Sequence, residues 1–159
     1  TIREVLRTRE DLAGEGAHHR SSFENAGSSA VENWKETVEI LSEGISSVIF
    51  RAKEKLIDLV IEGVHFFPTK KIISDWEDGG GIALGIVLYV ENLDSHIEMI
   101  SNREKHNGKK VNHYLNNIDR IREIQSEMMI RGIESGWKLI DITRDENPID
   151  IVKNALDEI

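Results

Sequence analysis

The sequence predicts an α/β fold built on a mostly parallel sheet, and three observations carry that prediction. IALGIVLYV, residues 82–90, is a continuous apolar run of strand length, rich in β-branched residues. A strand apolar on both faces belongs inside a parallel sheet. Two more strand-length segments, 58–62 and 138–142, stand on either side of it in the chain. Segments with apolar residues at helical spacing separate them, which is the alternation that parallel crossovers need.

In order, Ile2, Val5, Leu6 and Leu12 predict a short first helix over TIREVLRTREDL, with arginines on its polar side. Residues 13–30 are small and polar and form the longest loop-like stretch. Val31, Trp34, Val38, Leu41, Ile45, Val48, Ile49, Ala52 and Leu56 then repeat at helical spacing, predicting a helix over 31–57 with a bend at Gly44. Residues 58–62 read as a buried strand that ends abruptly on Glu62. A polar connection over 68–81 closes on three glycines, before the strand at 82–90. Leu93 to Met99 read as a helix and SNREKHNGKKVNH, residues 101–113, as a basic loop. A long amphipathic helix over 113–135 follows, with Gly136 placed to end it. Lys138 to Ile142 form a third strand, and Pro148 opens a last helix at a position where its missing N–H costs little.

The 159 residues suit one domain with a single core, and a hydrophobic content of 39% with 31% charged residues is ordinary for a globular chain. A net charge of -9 argues against a general nucleic-acid binder, which needs a basic face. There is no cysteine, hence no thiolate metal site and no disulfide; this fits a cytoplasmic protein. No apolar run approaches the roughly 20 residues of a membrane span, so no membrane partner is expected.

The residues that carry chemistry follow from where they fall. In open parallel sheets ligands sit beyond the C-terminal strand ends. Glu62 would lie at such an end, able to hold a water on Mg²⁺ or to accept a proton from an attacking hydroxyl. The same residue is also what the first solvated position after a strand looks like. Gly63 gives the backbone a sharp turn, and His65 could reach the same crevice. The 101–113 stretch sets Arg103, Lys105, Lys109 and Lys110 against one acid, Glu104, and also carries His113. Basic lids suit phosphoryl groups, whose charge is spread over several oxygens; a solvated surface loop has the same composition. Arg3 and Arg7 are four apart and share a helix face, while Arg9 points elsewhere. Arg20, Ser21 and Ser22 follow His18 and His19. Arginine clamps carboxylates or phosphates bidentately and serine adds hydroxyl donors. His96, His106 and His113 read as surface residues, and Trp34, Trp76 and Trp137 as packing residues.

VIEGVHFFP, with HHRSSF, GISSVIFRA and NHYLNNIDRIREIQ, resembles the archaeal 2-phosphoglycerate kinases, a branch of the P-loop kinases. The resemblance runs with gaps over nearly the whole chain. It implies a P-loop-kinase-like three-layer sandwich and phosphorylation of 2-phosphoglycerate to 2,3-diphosphoglycerate with ATP and Mg²⁺. By position it makes Arg3 and Arg7 acceptor-binding residues and puts His19, Arg20, Ser21 and Ser22 in the acceptor loop. Glu62 becomes the acid beside Mg²⁺ and the reacting phosphate, holding the ion through water. Arg103 becomes the lid arginine, within a lid over about 101–112 that includes Lys105, Lys109 and Lys110 and is joined by His113.

Two features depart from the family. Its phosphate-binding loop, GxxxxGK[ST], is absent; the glycine runs at 14–16 and 79–81 lack the Gly-Lys-Ser/Thr ending. His113 stands where the family tends to place an arginine before the tyrosine. The expectation is therefore an incomplete kinase core, inactive alone, whose first strand and phosphate loop come from upstream residues, another chain or a longer natural protein. Its sheet edge would be open to pairing with that segment or with a second copy. The expected ligand is a small anion. A nucleoside or nucleotide kinase of the same superfamily and a non-catalytic binding module are the alternatives.

Overall fold

The computed structural model describes residue 23 and residues 29–107, 111–144 and 147–158. The expected first helix and nearly all of the 13–30 loop lie outside the described residues. The chain divides into two compact units between Phe67 and Pro68.

In the first unit α1 spans Ala30–Lys55. Ser29 caps its start, accepting a hydrogen bond from the Glu32 amide at 3.4 Å. Ala30, Trp34, Val38, Leu41, Ile45 and Ala52 are buried along one stripe, as the helical spacing requires. The helix runs through Gly44 without interruption. It ends on Leu56 in the left-handed conformation (φ 53°), whose N–H bonds back into the last turn. The Trp34 indole donates to the Val64 carbonyl, and its ring meets Phe67 edge-on at 5.0 Å between centroids. These contacts tie residues 64–67 back onto α1.

The strand expected at 58–62 is not formed. Those residues belong to no ladder, and Val60 is 92% exposed. Apolar, β-branched residues favour an extended backbone, but a strand is stabilised by cross-strand pairing, which this segment lacks among the described residues.

The second unit holds a two-stranded parallel sheet. β1 is Ile86–Tyr89 and β2 is Lys138–Asp141, with Ile86 opposite Lys138 and Tyr89 opposite Asp141. Residues 82–85 stay outside the ladder, making β1 shorter than the apolar run. The polar connection contains a helix, α2, at Lys70–Glu77. α3 spans Leu93–Asn107 and therefore takes in the first part of the supposed basic loop. α4, Val111–Leu115, and α5, Ile118–Ser135, replace the expected single helix, with a turn at Asn116 and Asn117 between them. Gly136 ends α5 in the left-handed conformation, as expected. α6 spans Pro148–Asp157, and the Asn147 side chain accepts from the Ile149 amide at 3.1 Å.

α5 lies close on the sheet because Gly132 permits it. A methyl group there would stand 2.8 Å from Val87 Cγ2 and 3.1 Å from Leu139 Cδ1. At the start of β1, Gly85 likewise lies under the Trp137 ring. Val87, Val90, Ile100, Ile124, Ile140 and Ala155 supply the buried apolar side chains. The unit is thus mixed helix and strand with parallel pairing, compatible with the α/β expectation. No described helix is long and apolar enough to cross a membrane.

Candidate functional site

The second unit gathers its polar groups just past the C-terminal end of β1. Val90 is buried there, and the Gln125 side chain clasps its backbone. Gln125 Oε1 accepts from the Val90 N–H and Nε2 donates to its carbonyl, both at 3.0 Å. Arg122, one turn earlier on α5, donates to the Val90 carbonyl at 3.2 Å and to the Glu91 carbonyl at 2.9 Å. The same guanidinium lies 3.5 Å from His96 Nδ1. Arginine can only donate, so a hydrogen bond here requires the lone pair on Nδ1 and the proton on Nε2. Burial, then Arg122 and Arg103, hold the His96 pKa below its ordinary value.

Asp141 ends β2 beside this group. It accepts from the Thr143 hydroxyl at 2.7 Å and from the Thr143 amide at 3.0 Å. These bonds hold its carboxyl below the usual range, with lesser help from Arg144. Arg144 also reaches Glu91 at 3.3 Å and so ties the two strand ends together.

Farther along α3, Arg103 has a built environment. Its Nε donates to Glu104 Oε1 at 2.9 Å, and its guanidinium carbon stands 5.2 Å from the centre of the Tyr114 ring on α4. The side chain is 58% exposed, and among the described residues its two terminal nitrogens have no protein partner. A guanidinium held by its inner nitrogen and one face presents both outer N–H₂ groups as a fork for an anion.

The sequence-derived residues separate accordingly. Glu62 is exposed and His65 half-buried, both in the first unit. Glu62 stands on a segment that belongs to no described ladder rather than at the tip of a sheet strand. Gly63 does have the positive φ, 150°, that its turn role required. Arg103 and the exposed Lys105 lie on helix α3 and His113 on helix α4, so the expected lid loop is helical at 101–107 and again from 111. Arginine, glutamate and lysine favour helix as readily as they mark solvated loops. Arg3, Arg7, His19, Arg20, Ser21, Ser22, Lys109 and Lys110 lie outside the described residues.

His96 is not the surface residue expected. It shares a face with Arg103 through their seven-residue spacing, which the sequence displayed. Arg122, Gln125 and Asp141 carried no comparable signal. Among the described residues no three of His, Asp or Glu stand together as a metal site.

Comparison with known proteins adds one distant likeness. The chain is 26% identical over 115 residues to a 2-phosphoglycerate kinase of Thermococcus kodakarensis, an alignment covering 72% of this chain. The chain spans 38% of that protein's length. No family model matches the chain, and no solved structure does. A kinase-like relationship is what these likenesses support.

Proposed function

We propose that this chain is part of a small-molecule phosphotransferase of the 2-phosphoglycerate kinase kind, with a P-loop-kinase-like core. The reaction moves the γ-phosphoryl group of ATP to the free hydroxyl of 2-phosphoglycerate, giving 2,3-diphosphoglycerate, ADP and a proton. The observation that carries this reading is the Arg103 fork: two unclaimed N–H₂ groups on a guanidinium fixed by Glu104 and Tyr114. The distant likeness to a 2-phosphoglycerate kinase supports the same reading.

Arg103 fits phosphoryl or carboxylate oxygens, which it would orient and whose charge it would offset. Such positioning and charge stabilisation account for most of the catalysis in phosphoryl transfer. The residues of this chain do not fit the β- and γ-phosphates of ATP in the same way, since no GxxxxGK[ST] run is present to cradle them. No described residue is assigned as a direct Mg²⁺ ligand. Glu62, His65, the lid lysines Lys105, Lys109 and Lys110, and the acceptor-loop residues Arg3, Arg7, His19, Arg20, Ser21 and Ser22 keep their proposed roles toward the acceptor and the transferring group.

The test is an acceptor panel with MgATP on the longest natural chain that carries these residues. ADP formation that depends on 2-phosphoglycerate supports the reading. ADP formation that depends instead on a nucleoside or nucleotide replaces it with a nucleotide-type kinase. Anion binding without turnover on any acceptor replaces it with a binding module.

A further inference from the structure

Glu104 is the most deeply buried charged side chain among the described residues, at 1% exposure. One carboxylate oxygen takes the Arg103 Nε–H at 2.9 Å; the other, also buried, has no hydrogen-bond partner among the described residues. A helix position selected for stability alone would not carry this group. Burying a carboxylate oxygen without a donor is costly, and a methionine or leucine of similar volume avoids that cost. Polar groups kept against local stability point to function.

We propose that Glu104 is a positioning residue whose role is to hold Arg103 for an anionic ligand, an inference that rests on the reading of Arg103 given above. Three features make the device. The Glu104 carboxylate fixes the inner Nε–H of Arg103. The Tyr114 ring supports the guanidinium face at 5.2 Å. Among the described residues both terminal N–H₂ groups remain available, a geometry that matches two oxygens of one phosphomonoester or carboxylate. A free arginine side chain would have to be ordered on binding, and Glu104 removes part of that cost beforehand. Buried on its own helix, Glu104 acts through Arg103 and does not itself touch the ligand.

The test uses the longest natural chain in four forms: wild type, Arg103→Ala, Glu104→Met and the double variant. Arginine Nε–H signals are followed by NMR, 2-phosphoglycerate binding by calorimetry, and Tm by thermal unfolding. The wild-type Arg103 Nε–H is expected to be protected from exchange, and Glu104→Met to lose that protection while Tm holds or rises. Binding in Glu104→Met should weaken about 10-fold, the size of a lost charge-assisted hydrogen bond. In the Arg103→Ala background the same change should alter binding by less than about 2-fold, since its partner is gone. Where Glu104→Met merely unfolds the chain, Glu104→Leu, which also lacks an acceptor, serves for the same comparison.

An unprotected Nε–H in wild type overturns the positioning role and leaves the reading of Arg103 standing. So does a Glu104 effect that persists without Arg103. Binding unaffected by Arg103→Ala, or no binding of 2-phosphoglycerate by wild type, overturns both.

Discussion

Replacing Gln125 with leucine tests how the candidate site is built. The side chain of Gln125 supplies both an acceptor and a donor to Val90, which is 4% exposed. Leucine matches its bulk and can do neither. The Val90 carbonyl keeps the Arg122 bond at 3.2 Å, so its loss is partial. The Val90 N–H keeps no partner among the described residues. A stranded buried amide costs about 1–3 kcal/mol, and the second bond lost at the carbonyl adds about 0.5–1.5 kcal/mol. The extra apolar surface of leucine returns about 1 kcal/mol. The expected net loss is about 2 kcal/mol, or about 4–8 °C in Tm for a chain of this size. Urea unfolding should show a lower midpoint at unchanged slope, and the Val90 amide should exchange faster with solvent. A loss below about 0.5 kcal/mol with the amide still protected would show that the Val90 amide does not depend on Gln125. The clasp would then not be what orders the end of β1.

Leu56 holds a left-handed backbone at φ 53° and is 90% exposed. Leu56→Gly should therefore stabilise by up to about 1 kcal/mol, since relief of the left-handed strain exceeds the entropy of glycine; an equal loss in thermal unfolding would contradict this. Gly132→Ala should destabilise by about 1–3 kcal/mol, because the new methyl would enter the van der Waals space of Val87 and Leu139. A denaturation midpoint equal to wild type would show that α5 can lift without cost. His96 has a lowered pKa from burial and the two arginines, so the unfolded chain takes up its proton first. Its contribution is complete above about pH 6.5 and is lost as the pH falls through its lowered folded value. Stability measured from pH 7 to 5 should fall less steeply in His96→Phe than in wild type; parallel curves would contradict the assignment.

What the sequence made legible was what periodicity and end signals determine locally. The buried stripe of α1, the left-handed stop at Gly136, the proline start of α6 and the parallel character of the two ladder strands all follow from short-range patterns. Residues 58–62 show where this fails. Their composition fits a strand, yet whether a strand forms depends on a neighbour that composition does not reveal. The 101–107 stretch fails differently. Its charges suggest a basic, lid-like loop, but the same residues are good helix formers, and α3 continues through them.

The site was legible to a similar depth. Arg103 stood out as one of a cluster of basic residues. Glu104, counted only as the acid that reduced that charge, turned out to be buried and to hold Arg103 directly. Burial of a single charged residue on a polar helix leaves no sequence trace, and neither does the grip of Gln125 on a backbone 35 residues away.

The most direct test of the account is the kinetics of Arg103→Ala in the longest natural chain that carries these residues, with MgATP and 2-phosphoglycerate. Wild type should release ADP in an acceptor-dependent manner, with kcat/KM falling about 10²-fold in the variant as a donor to developing charge is removed. Release of ADP at the same kcat/KM in both proteins, or none that depends on 2-phosphoglycerate, would contradict it.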